Sequence, residues 1–398
     1  MAFRKRSVRD ADVRGKRVLV RVDLNVPLKD GAVADDTRIR ASLPTIELLR
    51  ERGAAVALCS HLGRPKGPDS TASLAPVAAR LSELLGASVP LAPDCVGPAV
   101  AERVRELGPG CVLLLENVRF HPEEERNDPR FAAELAAPFE IYVNDAFGAA
   151  HRAHASTEGV ARLLPAYAGL LLERELVALG ALLERPERPF LAIVGGAKVS
   201  SKIGVLRALV ERADAVAIGG GMANTFLAAK GHGIGRSLSE PEREGEAREI
   251  LAAAERRGAR VLVPLDVLVA TSADAAGETG AELRDVGEVP PDRAIVDVGP
   301  RTLAEYEKAI EGARTIFWNG PLGVFEVPGF AEGTRRVARL LAGSRANTIV
   351  GGGESVQAVE ELGLADRMTH VSTGGGASLE LIEGKTLPGV AAIPDTNE

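Results

Sequence analysis

At 398 residues the chain is long enough for two or three domains, each with a buried core. Its 45% apolar and 26% charged residues are ordinary for a folded globular protein, and no run of ~18 uncharged apolar residues is present to span a membrane. Lys and Arg number 48 against 55 Asp and Glu, so the net charge of −7 excludes the phosphate-neutralising excess expected of a nucleic-acid-binding protein. The N-terminal stretch from Met1 to Asp12 carries charges but no apolar segment, so no secretory signal is expected. Three cysteines (Cys59, Cys95, Cys111) lack CxxC spacing and read as buried small side chains in a reducing cytosol rather than as a disulfide or zinc framework.

In chain order, Val18–Leu24 predicts a first strand, Pro44–Arg52 a helix closed by Gly53, and Ala55–Cys59 a second strand. Ser73–Leu85 predicts a helix closed by Gly86, followed by strands at Val112–Leu115 and Ile141–Val143 and a helix over Leu170–Leu183. Two prolines among charges in Arg185-Pro-Glu-Arg-Pro189 mark either a linker or an ordinary helix-to-strand loop. Beyond it, strands are expected at Leu191–Val194, Ala215–Ile218, Val261–Val263, Ile316–Trp318 and Thr348–Val350. Alternating helices and near-continuous apolar strands imply an α/β chain with parallel sheets covered on both faces.

The two halves end their strands in different chemistry. In the first half the strands run out into Arg21, Asp23 and Asn25; Ser60, His61 and Arg64; Glu116, Asn117 and Arg119; and Asn144 and Asp145, leading to His151, Arg152 and His154. The second half runs into glycine: Gly195-Gly196, Gly219-Gly-Gly221, Asn319-Gly-Pro321, Gly351-Gly-Gly353 and Gly374-Gly-Gly376. Ligands bind at the carboxyl ends of parallel strands. Guanidinium and imidazole groups there suit a small polyanion such as a phosphorylated acid, and glycines before helices suit phosphates or a flat base. This pattern suggests group transfer between two anions.

Within Gly195-Gly-Ala-Lys-Val-Ser-Ser-Lys202, Lys198 and Lys202 stand four apart, a spacing that puts two cations on one face of a helix starting here, with an anion between them. Only nine lysines occur in the chain, so the pair favours phosphate contact over a solvated face. Arg38 alone would pass as a surface charge, Arg21 as a buried partner for a carboxylate, and Asp23 and Asn25 either meet a hydroxylated ligand or cap a turn. His151-Arg-Ala-His154 lacks a third ligand for zinc and suits an anion-binding loop better. Glu354 either binds Mg²⁺ with a nucleotide or is a favourable acid at a helix start. Gly384-Lys-Thr386 mimics a Walker A end, but Leu379 occupies the required glycine position; GxGxxG is also absent after the first strand, which disfavours the alternative of an NAD-dependent dehydrogenase.

Taken together, Arg21-Val-Asp-Leu-Asn-Val-Pro27, Ser60-His-Leu-Gly-Arg-Pro65, Leu115-Glu-Asn-Val-Arg-Phe-His121, Asn144-Asp-Ala-Phe-Gly148, the Gly195–Lys202 block, Gly219–Phe226, Phe317-Trp-Asn-Gly-Pro321 and Val371–Leu381 resemble the phosphoglycerate kinase family in order and across the whole chain. The resemblance implies two Rossmann-like, doubly wound domains joined by a hinge: 1–185 binding phosphoglycerate, 186–378 binding nucleotide, and 379–398 returning to the first. It implies reversible phosphoryl transfer between 1,3-bisphosphoglycerate and ADP, with Mg²⁺, in a cytoplasmic monomer whose partners are small molecules; a non-catalytic nucleotide-binding module is the further alternative. Substrate contacts would fall on Asp23, Asn25, Arg38, His61, Leu62, Gly63, Arg64, Arg119 and Arg152. Nucleotide contacts would fall on Gly196, Lys202, Gly220, Pro321, Glu326, Gly352, Gly353, Glu354 and Ser355, with Glu354 at the metal. Arg38, Lys198 and Lys202 would act in catalysis. The chain departs from the family pattern at Glu354, where Asp is usual, and at Ile295, where a small residue is frequent beside the base.

Overall fold

The computed structural model describes residues 4–272 and 281–396. The chain divides into two compact units, Met1–Val177 with Thr386–Glu398, and Ala178–Lys385.

In the first unit, β1 (Arg17–Arg21), β4 (Ala55–Cys59), β5 (Val112–Leu114), β6 (Ile141–Asn144) and β7 (Ala166–Ala168) form a parallel sheet in the order β5-β4-β1-β6-β7, and β2 (Leu28–Lys29) and β3 (Ala32–Val33) make a separate hairpin. All five residues of β4 are buried, as a strand covered on both faces requires. The sheet changes winding direction at β1, so the crevice beyond its carboxyl end is the expected ligand site.

The second unit holds β8 (Phe190–Val194), β9 (Ala215–Ile218), β10 (Arg260–Leu262), β14 (Thr315–Asn319), β15 (Asn347–Gly351) and β16 (His370–Val371), parallel in the order β10-β9-β8-β14-β15-β16. Its switch point lies between β8 and β14, the two strands that run into Gly195-Gly196 and Gly320-Pro321.

Two local expectations are corrected. The first helix runs Thr37–Glu51 and contains Pro44 instead of starting there: Asp35 Oδ1 accepts from the Thr37 amide at 2.8 Å and opens the helix earlier, which puts Arg38 in its first turn. The residues from Gly195 to Lys202 are turns, and the helix begins only at Ile203, so Lys198 and Lys202 do not share a helix face. The expected strands all lie in the two parallel sheets; beside them β11 (Asp266–Ala270), β12 (Glu282–Asp285) and β13 (Ala294–Val298), which the apolar pattern did not bring out, form an antiparallel sheet ordered β12-β11-β13.

The Arg185–Pro189 stretch joins the helix Leu170–Glu184 to β8. Its end is fastened within the second unit, where the Phe190 amide donates to Asp214 at 2.7 Å and Arg188 pairs with the same carboxylate. The start of the helix is held in the first unit by Asp145, which accepts from the Leu171 and Leu172 amides at 2.8 and 3.2 Å.

Candidate functional sites

In the first unit the strand-end side chains separate into ligand-facing groups and scaffolding. Glu116 accepts from Ser73 Oγ and the Leu74 amide at 2.7 and 2.8 Å, while Asn117 bonds both the amide and the carbonyl of Leu62. Asn144 donates to Gly389 O at 3.0 Å, and Asp145 caps the helix described above. These four polar residues hold backbone in place, and Asn117 fixes the loop that carries His61.

The basic groups converge at the end of β1. Arg21 is buried, with Nε donating to Ser156 Oγ at 2.7 Å and Nη2 lying 3.0 Å from His61 Nδ1. Because Nη2 can only donate, Nδ1 must accept, leaving the ring proton on Nε2. His61 is held well below its ordinary pKa by burial first, and then by the charges of Arg21, Arg119, Arg152 and Arg38. It is therefore a neutral donor among cations. Arg119 is buried and donates to Gly63 O at 2.7 Å, which ties the His61 loop down, and it pairs with Glu125 at 3.1 Å. Arg38 reaches Asn25 O at 3.0 Å and Asp23 at 3.4 Å, while Asn25 Oδ1 accepts from the Gly63 amide at 2.9 Å. Asp23, Asn25, Arg38, His61, Leu62, Gly63 and Arg119 thus form one connected group. Arg152 acts on it through its charge, and Arg64 stands exposed on the loop.

Sequence reasoning missed the acid beneath this cluster. Glu124 is fully buried and accepts from the amide and hydroxyl of Ser156 at 2.8 and 2.6 Å. Through Ser156 it connects to Arg21; burial raises its pKa and the Arg21 charge opposes that rise. Nothing in Pro122-Glu-Glu-Glu125 distinguishes Glu124 from its neighbours, because only the turn of the short helix Pro122–Glu125 directs it inward.

In the second unit, glycine turns surround a cation. Lys202 is half-buried, and its Nζ donates to Gly195 O at 2.6 Å and Asn319 O at 3.2 Å. Desolvation pulls its pKa down to about 8, against the opposing charge of Glu354. Gly320 has φ +96°, and a Cβ there would lie 2.5 Å from Lys202 Nζ, so any side chain would expel the ammonium group. Gly220, at φ +69° before the helix Gly221–Ala229, would drive a Cβ to within 2.7 Å of the Gly196 amide nitrogen. Buried Trp318 donates its indole N–H to Gly320 O at 2.9 Å, and buried Ser355 accepts from the Gly320 amide at 2.5 Å, so the turn is fixed from both sides. Asn319 is buried with its amide nitrogen unpartnered, close to Gly352, which precedes the helix Gly353–Glu361.

Beside this turn opens a cavity of about 490 Å³. Gly196, Gly220, Pro321, Glu326 and Glu354 line it, and Ile295 and Val296 of the antiparallel sheet supply an apolar wall. The volume and lining suit a nucleoside with phosphates directed at Lys202. Gly352, Gly353 and Ser355 lie at the start of the helix that carries Glu354. Lys198 stands apart, exposed, with its carbonyl accepting from Ser201 Oγ at 2.8 Å.

Both crevices therefore lie at switch points, one basic and one glycine-walled. The phosphoglycerate kinase family model matches residues 8–385. A phosphoglycerate kinase of Roseiflexus castenholzii is 55% identical over 394 residues, covering 98% of this chain and 99% of the relative. That of Desulforudis audaxviator is 57% identical over 391 residues, with the same coverage. Among solved structures, phosphoglycerate kinase from Coxiella burnetii superposes with a TM-score of 0.89 at 42% identity over 98% of both chains. The enzyme from Pyrococcus horikoshii gives 0.85 at 36% identity, over 97% of this chain and 98% of that one. With a match that runs through both units and both crevices, the chain belongs to the phosphoglycerate kinase family.

Proposed function

We propose that the basic crevice of the first unit holds the phosphoglycerate and the glycine-walled crevice of the second holds the nucleotide, in the reversible transfer of a phosphoryl group from 1,3-bisphosphoglycerate to ADP. The observation that carries the assignment is Lys202, a desolvated ammonium whose hydrogen bonds run to carbonyls rather than to a carboxylate. Such a cation gains most from an arriving phosphate.

Phosphoryl transfer asks the protein for alignment and for positive charge around the moving group. Arg119, Arg152 and neutral His61 would bind the phosphate and carboxylate of the acid, with Asn25 and Asp23 on its hydroxyl side and Arg64 closing the loop. Arg38 would stabilise the charge developing on the transferred group from the first unit, and Lys198 from the second. Lys202 would hold a nucleotide phosphate beside Gly196, Gly220, Gly352, Gly353 and Ser355, while Pro321 and Ile295 flank the base and Glu326 takes a ribose hydroxyl. The hinge closure implied by the family resemblance belongs to this proposal.

Mg²⁺ takes few protein ligands and otherwise keeps water and phosphate oxygens. One exposed carboxylate, Glu354, beside a cavity sized for a nucleotide fits that donor set. Bound there, the ion would neutralise phosphate charge during transfer.

The reading includes a cytoplasmic monomer. The three cysteines are free, Cys59 and Cys95 buried as expected and Cys111 exposed against that expectation, which suits a reducing compartment, and among the described residues no helix is long and apolar enough to cross a membrane. A coupled assay supplying 1,3-bisphosphoglycerate and ADP tests the whole assignment: ATP must form, and an absence of ATP at saturating substrates refutes it.

A further inference from the structure

Outside both crevices, three ligand-type side chains meet on the first unit. Asp94 and Cys95 lie in the segment beside β5, where the Asp94 carbonyl accepts from the Glu116 amide at 3.3 Å. His121 enters from the turn after β5, at the N-cap of the helix Pro122–Glu125. Its Nε2 lies 2.7 Å from Asp94 Oδ1, and the ligand atoms of Asp94, Cys95 and His121 all fall within 4.8 Å of one another.

We propose that Asp94, Cys95 and His121 form a binding site for a divalent cation of the zinc class. The donor set selects the ion. One thiolate, one imidazole and one carboxylate match the mixed sulfur, nitrogen and oxygen sites of Zn²⁺ and Co²⁺, whereas Mg²⁺ demands oxygen. Bond lengths of ~2.0–2.3 Å on a tetrahedral ion separate its ligands by roughly 3.3–3.6 Å, so the three atoms need only small side-chain adjustments.

Two of the ligands are already held in place. Cys95 is 1% exposed within an apolar cluster that includes Val118, Phe131 and Leu135. The His121 ring packs against Phe131 with centroids 5.2 Å apart. Asp94 and His121 keep 44% and 28% of their side-chain surface exposed, which leaves an entry path and a fourth position for water. Binding releases the Cys95 thiol proton to solvent, breaks the Asp94–His121 hydrogen bond, and places the remaining imidazole proton on Nδ1. No electron transfer is involved.

The test is a titration of the metal-free, full-length protein with Co²⁺ in the absence of nucleotide. The expected result is a thiolate-to-cobalt charge-transfer band with tetrahedral visible absorption, saturating at one equivalent, displaced by Zn²⁺ and unaffected by excess Mg²⁺. Cys95→Ser should abolish the charge-transfer band and Cys111→Ser should leave it. Asp94→Asn, at a partly exposed position that keeps the fold measurable even if Cys95→Ser is unstable, should weaken binding by about tenfold or more, as should His121→Ala. The proposal is overturned if no thiolate band forms, if the band survives Cys95→Ser or disappears with Cys111→Ser, or if Asp94→Asn and His121→Ala both bind Co²⁺ as the parent does.

Discussion

Lys202 provides the most quantitative check on the nucleotide crevice. Its pKa of about 8 in the free protein, against an ordinary 10.5, reflects a desolvated ammonium without a close counter-charge. An ADP phosphate placed against Nζ supplies that charge and returns the pKa to 10.5 or above. Between pH 8 and 10.5 the free protein loses the proton and the complex retains it, so ADP affinity should fall by about tenfold per pH unit across that window. Returned to its ordinary value, the pKa differs by 10.5 − 8 = 2.5 units, a loss of roughly 300-fold across the window, or about 3 kcal/mol. Below pH 7 the group is charged in both states and the effect vanishes. Folding has the opposite sign: the unfolded chain binds more protons than the native one between pH 8 and 10.5, so this group's contribution to stability rises with pH there. Isothermal titration of ADP in buffers of different ionisation enthalpy gives both the affinity and the proton uptake. Lys202→Arg, charged throughout, should remove the slope, and Lys202→Ala should lower ADP affinity by about 1.5–3 kcal/mol while sparing phosphoglycerate binding. An affinity flat from pH 7 to about 10, or a slope that persists in Lys202→Arg, would refute the argument.

Arg38→Ala should lower kcat by about 10³-fold or more with a much smaller rise in the phosphoglycerate KM, and Arg38→Lys should rescue only part; a variant changed in KM alone would make Arg38 a binding residue. Glu354→Asp should shift the Mg²⁺ concentration for half-maximal rate and leave the 3-phosphoglycerate dependence unchanged, whereas an identical Mg²⁺ curve would leave the carboxylate as a helix-start acid only. Glu124→Ala, which strands Arg21 and Ser156, should destabilise the fold by about 3–5 kcal/mol in urea titrations, and Glu124→Gln by clearly less; a loss under about 1 kcal/mol would remove Glu124 as the anchor of the basic cluster.

Much of this protein could be read directly from the chain. Apolar runs such as Ala55–Cys59 and Ala215–Ile218 are strands over those same residues, because a strand buried on both faces leaves a continuous apolar signature. The difference between charged and glycine strand ends was equally visible, since residue type alone states which groups can meet an anion and where backbone can come close. Only the tertiary structure decided which polar strand ends face a ligand: Arg21 and His61 converge, while Glu116, Asn117 and Asn144 turn to backbone. It also separated Lys198 from Lys202, because the turns between them send one ammonium outward and bring the other under Gly195 and Asn319. The antiparallel strands behind Ile295 and the choice of Glu124 from three successive acids stayed hidden for the same reason. Strand direction and burial arise from contacts between distant segments, and local periodicity contains no record of those partners.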